Sequence, residues 1–335
     1  MRSTLTASVA ILLLSAVTPA FAQDDDEAEA NPALSVTIDN SVGFNSEFNT
    51  VFSEHEVDLT LEATRGDVTF SADVWFYLYG DLTLMEMYPD FPGLEFIVSA
   101  PNFGEVQWWD ADTALGEACV TPADGSANVG NEDLMTFGTC SSYSAGQSIM
   151  YITPEMGGFR FYISGMADAR GVIDTGEVDS GVSAAVSFER AVGDATLSAS
   201  LGVDHATSIK DGLPPGNNLP TTVQAGAAVE WETWRFGAAG QVDVVSFDGT
   251  PIWAAGVGVT KTVGEKLALT AELATDHYED TGDPITEVSL GTTAELTVIE
   301  DTLTIDAGAN FLRRTSPGGV NDTVFQVETG VEISF

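Results

Sequence analysis

The sequence predicts an all-β transmembrane protein: a closed antiparallel barrel of 16 strands, with one long connection folded inward after the fifth strand. Three observations predict it. Segments of about ten residues alternate apolar with polar or small residues, the period of a strand with two different faces. The connections between them alternate between short and long, as expected when the two ends of a barrel lie in different compartments. Beyond the first 22 residues no apolar run approaches the roughly 20 residues that a membrane-crossing helix needs.

Residues 1–22 read as a targeting segment. Arg2 supplies a positive start, Leu5 to Val17 is mostly apolar, and Ala20-Phe21-Ala22 gives the small-x-small cleavage pattern. Residues 23–32 form an acidic, low-complexity lead-in, and the barrel is expected over 33–335.

Within that barrel the alternation is cleanest at the C-terminus. Phe325, Val327, Thr329, Val331, Ile333 and Phe335 share one face, while Gln326, Glu328, Gly330, Glu332 and Ser334 share the other. In the third segment Val68, Phe70, Ala72, Val74 and Phe76 oppose Thr69, Ser71, Asp73 and Trp75. The same theme recurs near 33–44, 56–64, 68–79, 93–100, 104–110, 148–154, 158–168, 180–190, 195–205, 221–231, 234–246, 251–262, 267–278, 286–299, 302–313 and 323–335. Connections after even-numbered strands are short, such as Thr64–Asp67 and Val192–Asp194. Those after odd-numbered strands, such as 45–55, 80–92, 111–147, 206–220 and 279–285, are mostly longer and richer in Gly, Pro and Asp.

Hydrocarbon demands that every backbone polar group pair internally, which a β-protein achieves only by closing on itself. The outer face must then be apolar. The inner face here includes Glu56, Asp58, Glu62, Asp73 and Glu295, whose charges a dry core would penalise by several kcal/mol each. Sixteen strands enclose a bore too wide for side chains to fill, so the inner face lines water. Trp231, Trp234, Trp253, Phe236, Tyr278 and Phe335 near segment ends suit interfacial aromatic girdles.

The whole chain of 335 residues carries 11 Lys and Arg against 51 Asp and Glu, a formal net charge of −40. That balance excludes a nucleic-acid partner, which needs clustered bases, and favours cations over anions. Residues 111–147 can narrow a lumen if they fold into it. Asp110, Asp112, Glu117, Asp124, Glu132 and Asp133 are the candidate acids at such a constriction, and Arg160 faces inward by strand parity as a candidate base. Arg235 also falls inward, near the short-turn end. Cys119 and Cys140 are expected to form a disulfide in an oxidising compartment, worth about 3 kcal/mol of loop entropy. No cofactor is expected, although the acids Glu279, Asp280 and Asp283 of an external loop suit Ca²⁺ in type without matching a defined motif.

Three short pieces carry a family resemblance. Phe103-Gly104-Glu105-Val106 followed by Asp110-Ala111-Asp112 is similar to the strand leading into a porin constriction loop. Tyr151 to Phe159 is similar to the turn after the sixth strand, and Phe335 to the C-terminal signal of barrel-insertion machinery. The chain thus resembles the general porins of Gram-negative bacteria, particularly the acidic alphaproteobacterial ones. The resemblance implies a homotrimer in the bacterial outer membrane, in contact with lipid and lipopolysaccharide, passing small hydrophilic solutes by passive diffusion. It also implies loop acids opposed by a dense cluster of wall bases, which this base-poor sequence cannot supply.

Two other readings compete. A substrate-specific channel, for instance for sugars, would use Trp108, Trp109 and Tyr143 around the long loop. An outer-membrane enzyme would need its histidines grouped with a nucleophile and a carboxylate; His55, His205 and His277 are scattered, and no Gly-x-Ser-x-Gly elbow occurs. An adhesive or structural barrel is a further possibility of that class.

Overall fold

The computed structural model describes residues 31–335, apart from 47–48, 82–85, 90–92, 110–111, 124–143, 171–177, 210–217, 246–251, 265, 281–282, 300–301 and 317–320. The strands are β1 (Asn31–Asn45), β2 (Thr50–Arg65), β3 (Val68–Asp81), β4 (Glu86–Pro89), β5 (Gly93–Ala100), β6 (Gly104–Trp109), β7 (Ser144–Ile152), β8 (Phe159–Arg170) and β9 (Val178–Val192). They continue with β10 (Ala195–Ile209), β11 (Thr221–Trp231), β12 (Trp234–Val245), β13 (Trp253–Val263), β14 (Leu267–Asp280), β15 (Asp283–Ile299), β16 (Leu303–Thr315) and β17 (Asn321–Ser334). One helical turn, α1 (Ala114–Glu117), follows β6.

Every pairing is antiparallel, and strand β4 is a short spur on the end of β3. The other 16 strands form a ring: β3 pairs directly with β5, and β1 pairs with β17, Thr37 lying opposite Ser334 and Asn45 opposite Gln326. Backbone bonds between Val36 and Phe335, 2.9 and 3.1 Å long, complete the seam. Closure leaves no free edge, which is the condition hydrocarbon imposes.

The burial pattern is that of a soluble protein turned inside out. Ile163, Leu201 and Val257 are 60%, 54% and 53% exposed, whereas Ser183, Glu272 and Gln326 are 3%, 5% and 1% exposed. Apolar residues therefore face out, and polar residues face in. The aromatic girdle holds for Trp231, Trp234, Phe236, Trp253 and Phe335, all exposed. Lys261 sits 4.5 Å from the centroid of the Trp234 ring. Tyr278 does not belong to the girdle: it shares the inner face with Asp276, and its hydroxyl donates to Glu287 at 2.7 Å.

The ends of elements moved most relative to the sequence reading. Strand β2 begins at Thr50 rather than 56, because Asn45 pairs with Thr50 and the Phe52 ring lies over Gly43, where a Cβ would come within 2.3 Å of it. Strand β7 begins at Ser144, since Ser144, Ala145 and Gln147 pair with β8 despite lacking an apolar rhythm. Within the expected connection 279–285, Glu279 pairs with Pro284 and Asp280 with Asp283.

Candidate pore constriction

Thr113 starts the inward segment. It is fully buried, its hydroxyl accepts from the Gly116 amide at 3.1 Å, and it donates to Asp204 Oδ2 at 3.2 Å. This cap holds α1, too short to persist by itself, against the inner wall. The wall then binds the segment strand by strand. The amide of Ala114 donates to Ser164 Oγ on β8, that of Leu115 to Ser183 Oγ on β9, and that of Val120 to Ser200 Oγ on β10, each at 2.9 Å. Gln224 on β11 donates to Cys119 Sγ, and Arg235 on β12 reaches the Thr121 carbonyl at 3.4 Å. Such bonds contribute about 1 kcal/mol each.

Glycines on the same wall make the room. An added Cβ at Gly226 would lie 2.2 Å from the Val120 carbonyl oxygen, one at Gly237 2.3 Å from that of Pro122, and one at Gly258 2.6 Å from Ala123. Beneath α1, Ala114 and Ala118 cover an apolar island of Met150, Ile152 and Tyr162 on the inner wall. These residues break the polar-inside rule because the loop, not water, touches them. Residues 113–123 thus run along the inside of β8 to β13.

Asp112 and Glu117 are both exposed, at the start of this segment. Enclosure by the barrel, and then the charges of Asp112 and Glu105, push the Glu117 carboxyl above its ordinary value. The wall across the bore is also acidic. Glu95 feels Asp73, Glu117, Asp112 and Glu105; Asp58 feels Asp73 and Glu332; Asp39 feels Asp306, Glu332 and Asp58. A continuous arc of carboxylates therefore spans β16, β17, β1, β2, β3, β5 and β6, facing the strands that carry the loop.

Inward bases are few among the described residues. Arg160 is exposed, and it stands one inward position from Tyr162 on β8, the loop's own wall rather than the opposite one. Arg235 pairs with Glu230 at 2.7 Å. Arg314, at the far end of β16, pairs with Glu287, which also accepts from Tyr278. Asp110, Asp124, Glu132, Asp133, Cys140 and Tyr143 lie outside the described residues. Trp108 faces outward, stacked on Phe96 with ring centroids 5.2 Å apart, and so does not line the bore.

Sequence reading sought the constriction in loop acids and undervalued the wall. Strand parity alone places Asp39, Glu95, Glu105, Asp306 and Glu332 inward, and that was the available signal. The Arg314–Glu287–Tyr278 group spans three strands, and only the register brings it together.

A family model described as Gram-negative porin matches residues 7–298. The chain belongs to the Gram-negative porin family. This porin resembles solved structures across almost its whole length. A loop-deletion mutant of OmpT, an outer membrane protein of Vibrio cholerae, is 16% identical with a TM-score of 0.64, over 91% of this chain and 99% of that one. The anion-selective porin from Comamonas acidovorans is 15% identical with a TM-score of 0.61, over 92% and 100%. A mutant of the Rh. blastica porin is 14% identical with a TM-score of 0.57, over 91% and 100%. No curated relative matches the sequence. Family and fold together make the chain a β-barrel channel of the bacterial outer membrane.

Proposed function

We propose that this porin is a cation-preferring channel through which small hydrophilic solutes diffuse passively, narrowed by the segment that follows β6. One observation carries the reading. The wall facing the inward segment bears carboxylates on seven neighbouring strands, and Arg314 is the sole inward base on those strands among the described residues. Acids on two sides of a bore with low-dielectric walls concentrate cations and exclude anions.

Planar-bilayer conductance in a KCl gradient tests it. The expected result is an ohmic current whose reversal potential favours K⁺. Asp112→Asn with Glu117→Gln should shift that potential toward zero. A current that favours Cl⁻ would overturn the reading.

Residues 1–22 act as the export signal. Cys119 bonds to Cys140 and stiffens the inward segment; adding a reductant should then make single-channel current noisier. The functional unit is a homotrimer in contact with lipid and lipopolysaccharide, a reading supported by the trimer form of OmpT among the similar structures. Ca²⁺ at the acidic external tips remains a lesser part of the proposal.

A transport role rather than catalysis is supported by where the histidines stand. Nδ1 of His55 meets Asn40 at 2.8 Å, that of His205 meets Thr221 at 2.9 Å, and that of His277 meets Thr286 at 3.1 Å. All three lie on outward parity on separate strands, each paired with a neutral side chain.

A further inference from the structure

Trp75 stands on the inner face of β3, following Ser71 and Asp73 in the alternation. Its placement is built rather than incidental. The indole lies over Gly93 of β5, where an added Cβ would come within 1.9 Å of the ring. Any other residue at 93 would displace the ring.

Carboxylates hold the neighbouring inner-face positions. Asp58 is its register partner on β2. Two residues along β3, Asp73 pairs with Glu95 of β5, and Glu95 pairs with Trp109 of β6. Trp109 is itself exposed, with φ 94°. The loop acids Asp112 and Glu117 also act electrostatically on Glu95.

We infer that Trp75, with Asp58, Asp73 and Glu95, forms a recognition patch in the bore for organic cations of the guanidinium or quaternary-ammonium class. The inference deepens the cation-preferring reading above and rests on it. An aromatic face attracts a weakly hydrated, flat or methylated cation, while the flanking carboxylates supply the long-range attraction. A small metal ion fits less well, because no group of three metal-ligating side chains converges among the described residues. A neutral sugar would leave the carboxylates without a partner.

The test uses the full-length porin in planar bilayers, carrying K⁺ current, with guanidinium chloride added at millimolar levels. The expected result is a saturable reduction of K⁺ current that equal NaCl does not produce. Trp75→Leu should raise the half-blocking concentration roughly tenfold, and Trp75→Phe by less. The heat-modifiable migration of each variant in SDS gels reports whether the barrel has formed. Unsaturable or absent guanidinium block in the wild type would overturn the inference, whether or not the variants fold. Equal block in Trp75→Leu would do so too. A pore that favours K⁺ yet ignores guanidinium would sink this inference alone, whereas a Cl⁻-favouring pore would sink the reading beneath it.

Discussion

Gly104 opens β6 with φ 90°, and an added Cβ there would lie 2.1 Å from the Ile152 carbonyl oxygen on β7. Neither the dihedral nor the backbone contact tolerates a side chain. Gly104→Ala should therefore destabilise the barrel by about 2 kcal/mol or more, read as a lower urea midpoint of the purified protein in detergent. Gly66, Gly193 and Gly264 differ: their φ of 62°, 63° and 67° marks tight turns, with open space beyond. Gly66, Gly193 and Gly264 fall in short connections of the sequence, whereas Gly104 reads as the first residue of a strand. That Gly104 alone faces a neighbouring strand was not visible, because the contact is with a residue 48 positions away.

At the scale of elements, the inward segment is held by a trough of small residues that no single strand reveals. Ser164, Ser183, Ser200, Gly226, Gly237 and Gly258 each look like ordinary polar-face positions. Only the register aligns them into one path across six strands. Gly226→Leu should fill that path where Val120 now runs and drive the segment off the wall. The expected outcome is an unchanged far-ultraviolet circular dichroism spectrum with an altered single-channel conductance. Conductance equal to wild type would show that the segment does not set the passage. The helix within it was not foreseen, for four residues carry no periodicity, and Thr113 caps them only because Asp204 and the wall hold it in place.

At the scale of the whole molecule, the charge asymmetry becomes an electrostatic property of the bore. Because the Glu117 carboxyl is held above its ordinary value, it takes up a proton at a higher pH than a free carboxylate would. Cation preference is fully present while Glu117 is ionised and declines as pH falls. The decline should therefore begin above the usual carboxylate range, and Glu117→Gln should reduce that early component. Reversal potentials recorded at stepwise lower pH check this; a wild-type curve coinciding with that of Glu117→Gln would refute it.

The sequence by itself determined the strand count, the two-faced alternation of the strands, the two unlike ends and the excess of acid, since period-two alternation and composition are local properties. Tertiary structure alone decided which wall the inward segment follows, which carboxylates stand across from it, that Tyr278 faces the bore and that Trp108 faces lipid. Those outcomes depend on register and ring closure, which bring residues together across strands that are distant in the chain.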